Sequence, residues 1–93
     1  VTVAASGDLL LGFIALVDTS IGGLFVDPRM HRSGIGRALI QEALRKRPGL
    51  RVEVYEANYA ARDFYSANGF RVIGHRDRDD HGRDFPLILM LHE

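Results

Sequence analysis

Apolar and polar residues alternate along the first quarter of the chain, switch to a helical period, and then alternate again. Val1–Ser6 reads as a strand, and Leu9–Val17 as a second one beyond a "SGD" turn, so the two predict a hairpin. "DTS" turns the chain into a third strand, Ile21–Val26. Gly22 and Gly23 inside it predict a bulge or the close approach of another molecule. Pro28 breaks the pattern, and "DPRMHRS" reads as a loop. From Gly34 to about Arg47, Ile35, Ala38, Leu39, Ala43 and Leu44 fall on one helical face, and Pro48-Gly49 stops the helix.

The alternation resumes in "LRVEVYE", with Glu53 and Tyr55 on one face and Val52, Val54 and Glu56 on the other. Asn58 is a good N-cap for a short second helix with Ala61, Phe64 and Tyr65 on its inner face, ending at Asn68-Gly69. Phe70–Arg76 and the nearly all-apolar Pro86–Leu91 read as two last strands around a polar turn. The order β-β-β-α-β-α-β-β predicts an α/β fold, a mixed sheet with helices packed on it. Hairpins at both ends make the sheet mostly antiparallel, and the helix between Val26 and Arg51 predicts one central parallel pair.

The chain has 93 residues, which predicts a single domain over 1–93. Twelve basic and twelve acidic side chains cancel, so neither nucleic acid nor an anionic membrane is an expected partner. Cysteine is absent, which removes thiolate nucleophiles and disulfides and fits a reducing, cytoplasmic setting. No apolar run approaches the roughly 18 residues of a membrane span. His31, His75, His81 and His92 lack short ligand spacing, so no metal is expected.

The chemistry concentrates first at "HRSGIGR", residues 31–37. A helix start carries unpaired N–H groups and about half a positive charge, and glycines let an oxyanion reach them. Arg32 and Arg37 add charge, and Ser33 can cap the helix or bond a phosphate oxygen. Taken alone, these residues fit a phosphate site and a solvated glycine-rich turn equally well.

The wider pattern resembles the GCN5-related N-acetyltransferases. Their [R/Q]-x-x-G-x-[G/A] signature aligns with His31-Arg32-Ser33-Gly34-Ile35-Gly36, and N-x-x-A-x-x-F-Y-x-x-x-G-F aligns with Asn58, Ala61, Phe64, Tyr65, Gly69 and Phe70. The tail is similar to that of small bacterial acetyltransferases. The resemblance implies acetyl-CoA as cosubstrate, with its diphosphate on the amides and side chains of about Arg32–Arg37. It also implies that the pantetheine arm bonds the backbone of Leu24, Phe25 and Val26, freed from the sheet ladder by the glycine bulge. His31 departs from the family's arginine or glutamine, and offers one N–H in place of a fork.

The resemblance also implies Tyr65 as general acid for the departing CoA thiolate, a neutral donor at pH 7. It implies a cofactor contact for Asn58 beside its capping role. For the base, Glu53 is the candidate, with Glu56, Asp27 or a water chain as alternatives. The expected reaction is direct acetyl transfer to a primary amine, on a small molecule or a peptide, without an acyl-enzyme. The competing expectation is a non-catalytic CoA-binding or interaction module, or a fragment that needs a further segment for activity. The family normally begins with a strand and two helices before the first hairpin read here, so the chain is expected to be N-terminally truncated. Its first strand is then an exposed edge, and a homodimer through that edge is expected.

Overall fold

Nine elements follow one another in the computed structural model, which describes residues 2–6, 9–30, 34–78 and 82–92. The chain divides into two compact units, Val1–Pro48 and Gly49–Glu93.

In the first unit, β1 (Thr2–Ser6) pairs antiparallel with β2 (Leu9–Val17), and β2 pairs antiparallel with β3 (Ser20–Val26). The turn between β2 and β3 places Asp18 at φ 54°, in the left-handed region. The Arg47 guanidinium donates to the Asp18 carbonyl at 2.9 Å, tying the far end of the helix to this turn. A short 3₁₀ turn over Pro28–Met30 occupies the segment expected to be a plain loop, closed by the Met30 amide on the Asp27 carbonyl at 2.7 Å.

The expected bulge is present. Ala15 opposes Gly23 while Leu16 opposes Ile21, which leaves Gly22 as the extra residue of β3. A second glycine is demanded by crowding. A Cβ on Gly12 would stand 2.6 Å from the Phe25 carbonyl oxygen and 3.4 Å from an Ile35 methyl.

Helix α1 (Ile35–Lys46) lies over these strands with Gly36, Leu39, Ile40 and Ala43 buried. That is the 3, 1, 3 spacing of a single helical stripe. It corrects the face read from sequence: Ala38 is exposed, and Ile40, left out of that face, is fully buried. Ile14 and Ile21 complete the core of this unit. Each such aliphatic side chain contributes about 1.5–3 kcal/mol by leaving water.

In the second unit, β6 (Leu87–His92) lies between β4 (Arg51–Tyr55) and β5 (Phe70–Arg76), antiparallel to both. β4 and β5 therefore run in the same direction, and α2 (Tyr59–Ala67) carries the chain from one to the other. Val52 and Val54 are buried while Glu53 and Tyr55 are exposed, as alternation predicts. Leu50, Phe70, Leu87, Ile88 and Met90 fill the core. At the end of α2, Asn68 donates from its side chain to the Phe64 carbonyl at 2.8 Å, and Gly69 follows at φ 89°, the expected left-handed stop.

Candidate active site

The start of α1 belongs to Gly34. It is the N-cap residue, with φ 90° and ψ 0° and no side-chain hydrogen bond closing the first turn. Its carbonyl receives the first helical bond, from the Ala38 amide at 3.0 Å. The amides of the next three residues have no earlier carbonyl to bond within the helix. No acidic residue occupies the first turn. Nothing described lies within 4 Å of where a Gly34 Cβ would be. The capping role considered for Ser33 falls instead on Gly34, while His31, Arg32 and Ser33 themselves lie outside the described residues.

Of the residues at this helix start, Gly34 and Arg37 are exposed, Ile35 is partly buried, and Gly36 sits on the buried stripe.

Leu24, Phe25 and Val26 stay in register with β2, opposite Ile14, Phe13 and Gly12. The Asp27 amide donates to the Leu11 carbonyl at 2.8 Å, which fixes the phase of the ladder. Phe25, two residues earlier, shares that phase and turns its backbone groups toward β2. Leu24 and Val26 turn theirs toward the opposite edge of β3. The three amides assigned as one set are therefore divided by direction, and the bulge at Gly22 does not detach them from β2.

In the second unit, Asn58 caps α2 by accepting from the Ala61 amide at 3.1 Å. Two helical turns beyond the cap, Tyr65 is buried, its ring edge-on to Phe64 (5.2 Å between centroids) and to Phe70 (5.3 Å). Burial pushes the Tyr65 phenol above its ordinary value, because an ionised ring would lose its hydration. The group, already neutral at pH 7, thus keeps its proton further into the alkaline range.

Each carboxylate considered as a base has a partner. Glu53 is paired with Arg76. Glu56 is bonded to His75 Nε2 at 2.9 Å, and the other ring nitrogen of His75 lies 3.5 Å from Asp77. Asp27 is held by Arg29 through a backbone bond of 2.9 Å and guanidinium bonds of 3.1 and 2.8 Å. Arg76 and His75 were not foreseen, because their pairing depends on β6 inserting between β4 and β5. Among the described residues no group of three or more His, Cys, Asp or Glu is placed to hold a metal ion.

Glu53 and Tyr65 do not share a face. Met90 opposes Val52 and shares its face of the sheet with His92, whose ring touches Phe70, which in turn touches Tyr65. Tyr65 thus packs on the Val52 and Val54 side, and Glu53 points away from it.

The acetyltransferase (GNAT) domain family matches residues 1–72, and the chain belongs to that family. It is 38% identical over 82 residues to the peptidyl-lysine N-acetyltransferase YjaB of Salmonella typhimurium, covering 88% of this chain and 57% of that protein. The solution structure of apo-form YjaB from Escherichia coli superposes with a TM-score of 0.83 at 36% identity, over 91% of this chain and 58% of that one. A putative streptothricin acetyltransferase from Bacillus anthracis, in complex with acetyl coenzyme A, gives a TM-score of 0.84 at 25% identity, over 98% of this chain and 60% of that one. These likenesses show the expected mixed α/β fold, mostly antiparallel with one parallel pair. The chain spans a little over half the length of the curated relatives it matches first, 57% and 55%.

Proposed function

We propose that this chain carries the acetyl-CoA-binding and acetyl-transferring part of a peptidyl-lysine N-acetyltransferase. The observation that carries the reading is Tyr65, a buried phenol, neutral at pH 7, at the position where the family motif has its proton donor. The open helix start at Gly34 supports it as the place for the CoA diphosphate. The likeness to proteins named peptidyl-lysine N-acetyltransferase supports a lysine side chain in a peptide as acceptor.

In the reaction the neutral amine attacks the thioester carbonyl. A C–N bond forms, the C–S bond breaks, and the sulfur leaves with the proton of Tyr65 while the nitrogen gives up its own. Glu53, which stands on the face of β4 away from Tyr65, takes that proton through water, its charge held in place by Arg76. Of the strand amides, that of Leu24, which the ladder turns away from β2, is the one directed to meet a pantetheine arm. Asn58 spends its carbonyl on the cap, so its amide N–H₂ is the part that remains for a cofactor contact. The same reading sets the protein in the cytoplasm and keeps β1, which among the described residues of its unit pairs only with β2, as the edge through which two copies would join.

The test is release of CoA from acetyl-CoA with a lysine peptide as acceptor, together with direct binding of CoA. Turnover that depends on the peptide supports the enzyme. Tight CoA binding without turnover assigns the chain to the competing class, a binding module.

A further inference from the structure

Beyond the last residue of β4 the Glu56 amide donates to the Pro86 carbonyl at 2.8 Å, which fastens the segment before β6 beside Tyr55. Phe85 consequently meets Tyr55 edge-on, with ring centroids 6.0 Å apart and planes at 75°. The Arg83 guanidinium lies over the Phe85 ring, 5.8 Å from its centroid. Among the described residues these three line an open cavity of about 300 Å³.

Both rings remain substantially in water, Tyr55 at 42% and Phe85 at 54% exposure. They contribute little to the core of the unit, and the cavity beside them is bounded by aromatic surface and a planar cation. Such a lining suits one large apolar or aromatic side chain. Its position matters as much as its lining. Tyr55 is two residues after Glu53 on the same strand face, a separation of about 6.5–7 Å along the strand.

We infer that this cavity is an acceptor subsite, holding an aromatic or long aliphatic side chain that neighbours the reactive lysine. The inference rests on the acetyl-transfer reading and narrows it. The acceptor is a lysine in an apolar sequence context, and free lysine or a polyamine would leave the cavity empty. Specificity arises because the correct neighbour buries its surface against Tyr55 and Phe85 while the amine waits beside Glu53.

The experiment compares peptides that differ only in the residue next to the acceptor lysine: Phe, Leu, Gly or Asp. The Phe and Leu peptides are expected to exceed the Gly peptide in kcat/KM by about tenfold, the discrimination an apolar pocket provides. That ratio is expected to fall toward one in Phe85→Ala and in Tyr55→Ala. Equal kcat/KM across the panel, a preference for Asp, or a ratio unchanged in both variants overturns the subsite. Should no peptide be acetylated, the acetyl-transfer reading fails by itself, and the subsite is read from binding. The Phe peptide should then still shift the Tyr55 ring resonances, an effect absent with the Gly peptide and abolished in Phe85→Ala. No shift overturns the inference.

Discussion

Glu53 and Tyr65 stand on opposite faces of the sheet formed by β4, β6 and β5. One is charged and paired with Arg76 at the surface, and the other is a neutral phenol among aromatic rings. On the proposed reading the two groups handle protons of opposite fate, and their surroundings differ accordingly. Tyr65→Phe removes only the hydroxyl. It is expected to lower kcat by about 10²–10⁴, the usual contribution of a general acid, while CoA affinity stays within about twofold because the ring packing survives. Steady-state kinetics and CoA titration of the variant check this; an unchanged kcat would remove Tyr65 from the reaction.

The same burial has a consequence at alkaline pH. The folded phenol titrates above its unfolded value of about 10, so the folded state holds the proton that the unfolded state has lost. The stabilisation is complete below about pH 10 and declines as pH rises through the folded value. Thermal melts from pH 9 upward should show a steeper loss in the parent than in Tyr65→Phe. Parallel curves would count against the buried phenol.

Asn58 combines a cap with a proposed cofactor contact, and two substitutions separate them. Asn58→Ala loses the bond to the Ala61 amide and should cost about 1 kcal/mol. Asn58→Asp keeps a capping oxygen and removes the N–H₂ donors. It should leave thermal stability near the parent's and weaken CoA binding. If CoA binds equally well to the aspartate variant, the side chain is a cap and nothing more.

Gly34 is needed twice over on this reading. At φ 90° any other L-residue is strained, by about 1–2 kcal/mol for most types. Asparagine tolerates this region best after glycine. Gly34→Asn should therefore fold with a small loss of stability, yet place a side chain in the open space before the helix amides. CoA affinity is expected to fall at least tenfold. Retained affinity would move the diphosphate elsewhere.

Gly12 offers a purely structural check. An added Cβ would meet the Phe25 carbonyl oxygen at 2.6 Å, a backbone atom that cannot rotate aside. Gly12→Ala should cost about 1–3 kcal/mol through forced strand separation. Denaturant unfolding measures it, and a neutral result would mean that the strands shift freely at this point.

The element order was legible because each segment carries its own punctuation. Leu9–Val17 and Phe70–Arg76 are strands over the residues that alternation and turn signals mark. Asn58 and Gly69 bound the second helix as their cap chemistry predicts. The phase of α1 was less legible. Ile35, Ala38 and Leu44 make a plausible apolar face, but the buried stripe passes one position over, through Gly36 and Ile40. Glycine adds nothing to a hydrophobic pattern, so a stripe that begins on one is invisible to it. Partners of the site carboxylates were illegible for another reason. Arg76 reaches Glu53, and His75 reaches Glu56, only because β6, the last strand in sequence, fills the space between β4 and β5. Side-chain direction along a strand is local information, whereas strand order is not.

The bond from Arg47 to the Asp18 carbonyl spans 29 positions of chain and latches the hairpin tip to the helix terminus. Opening that latch would release a turn built on a single left-handed residue, Asp18. Proteases and solvent deuterium should therefore find the first unit at Asp18–Thr19 before they find it anywhere along its helix, and sooner still once Arg47 is shortened.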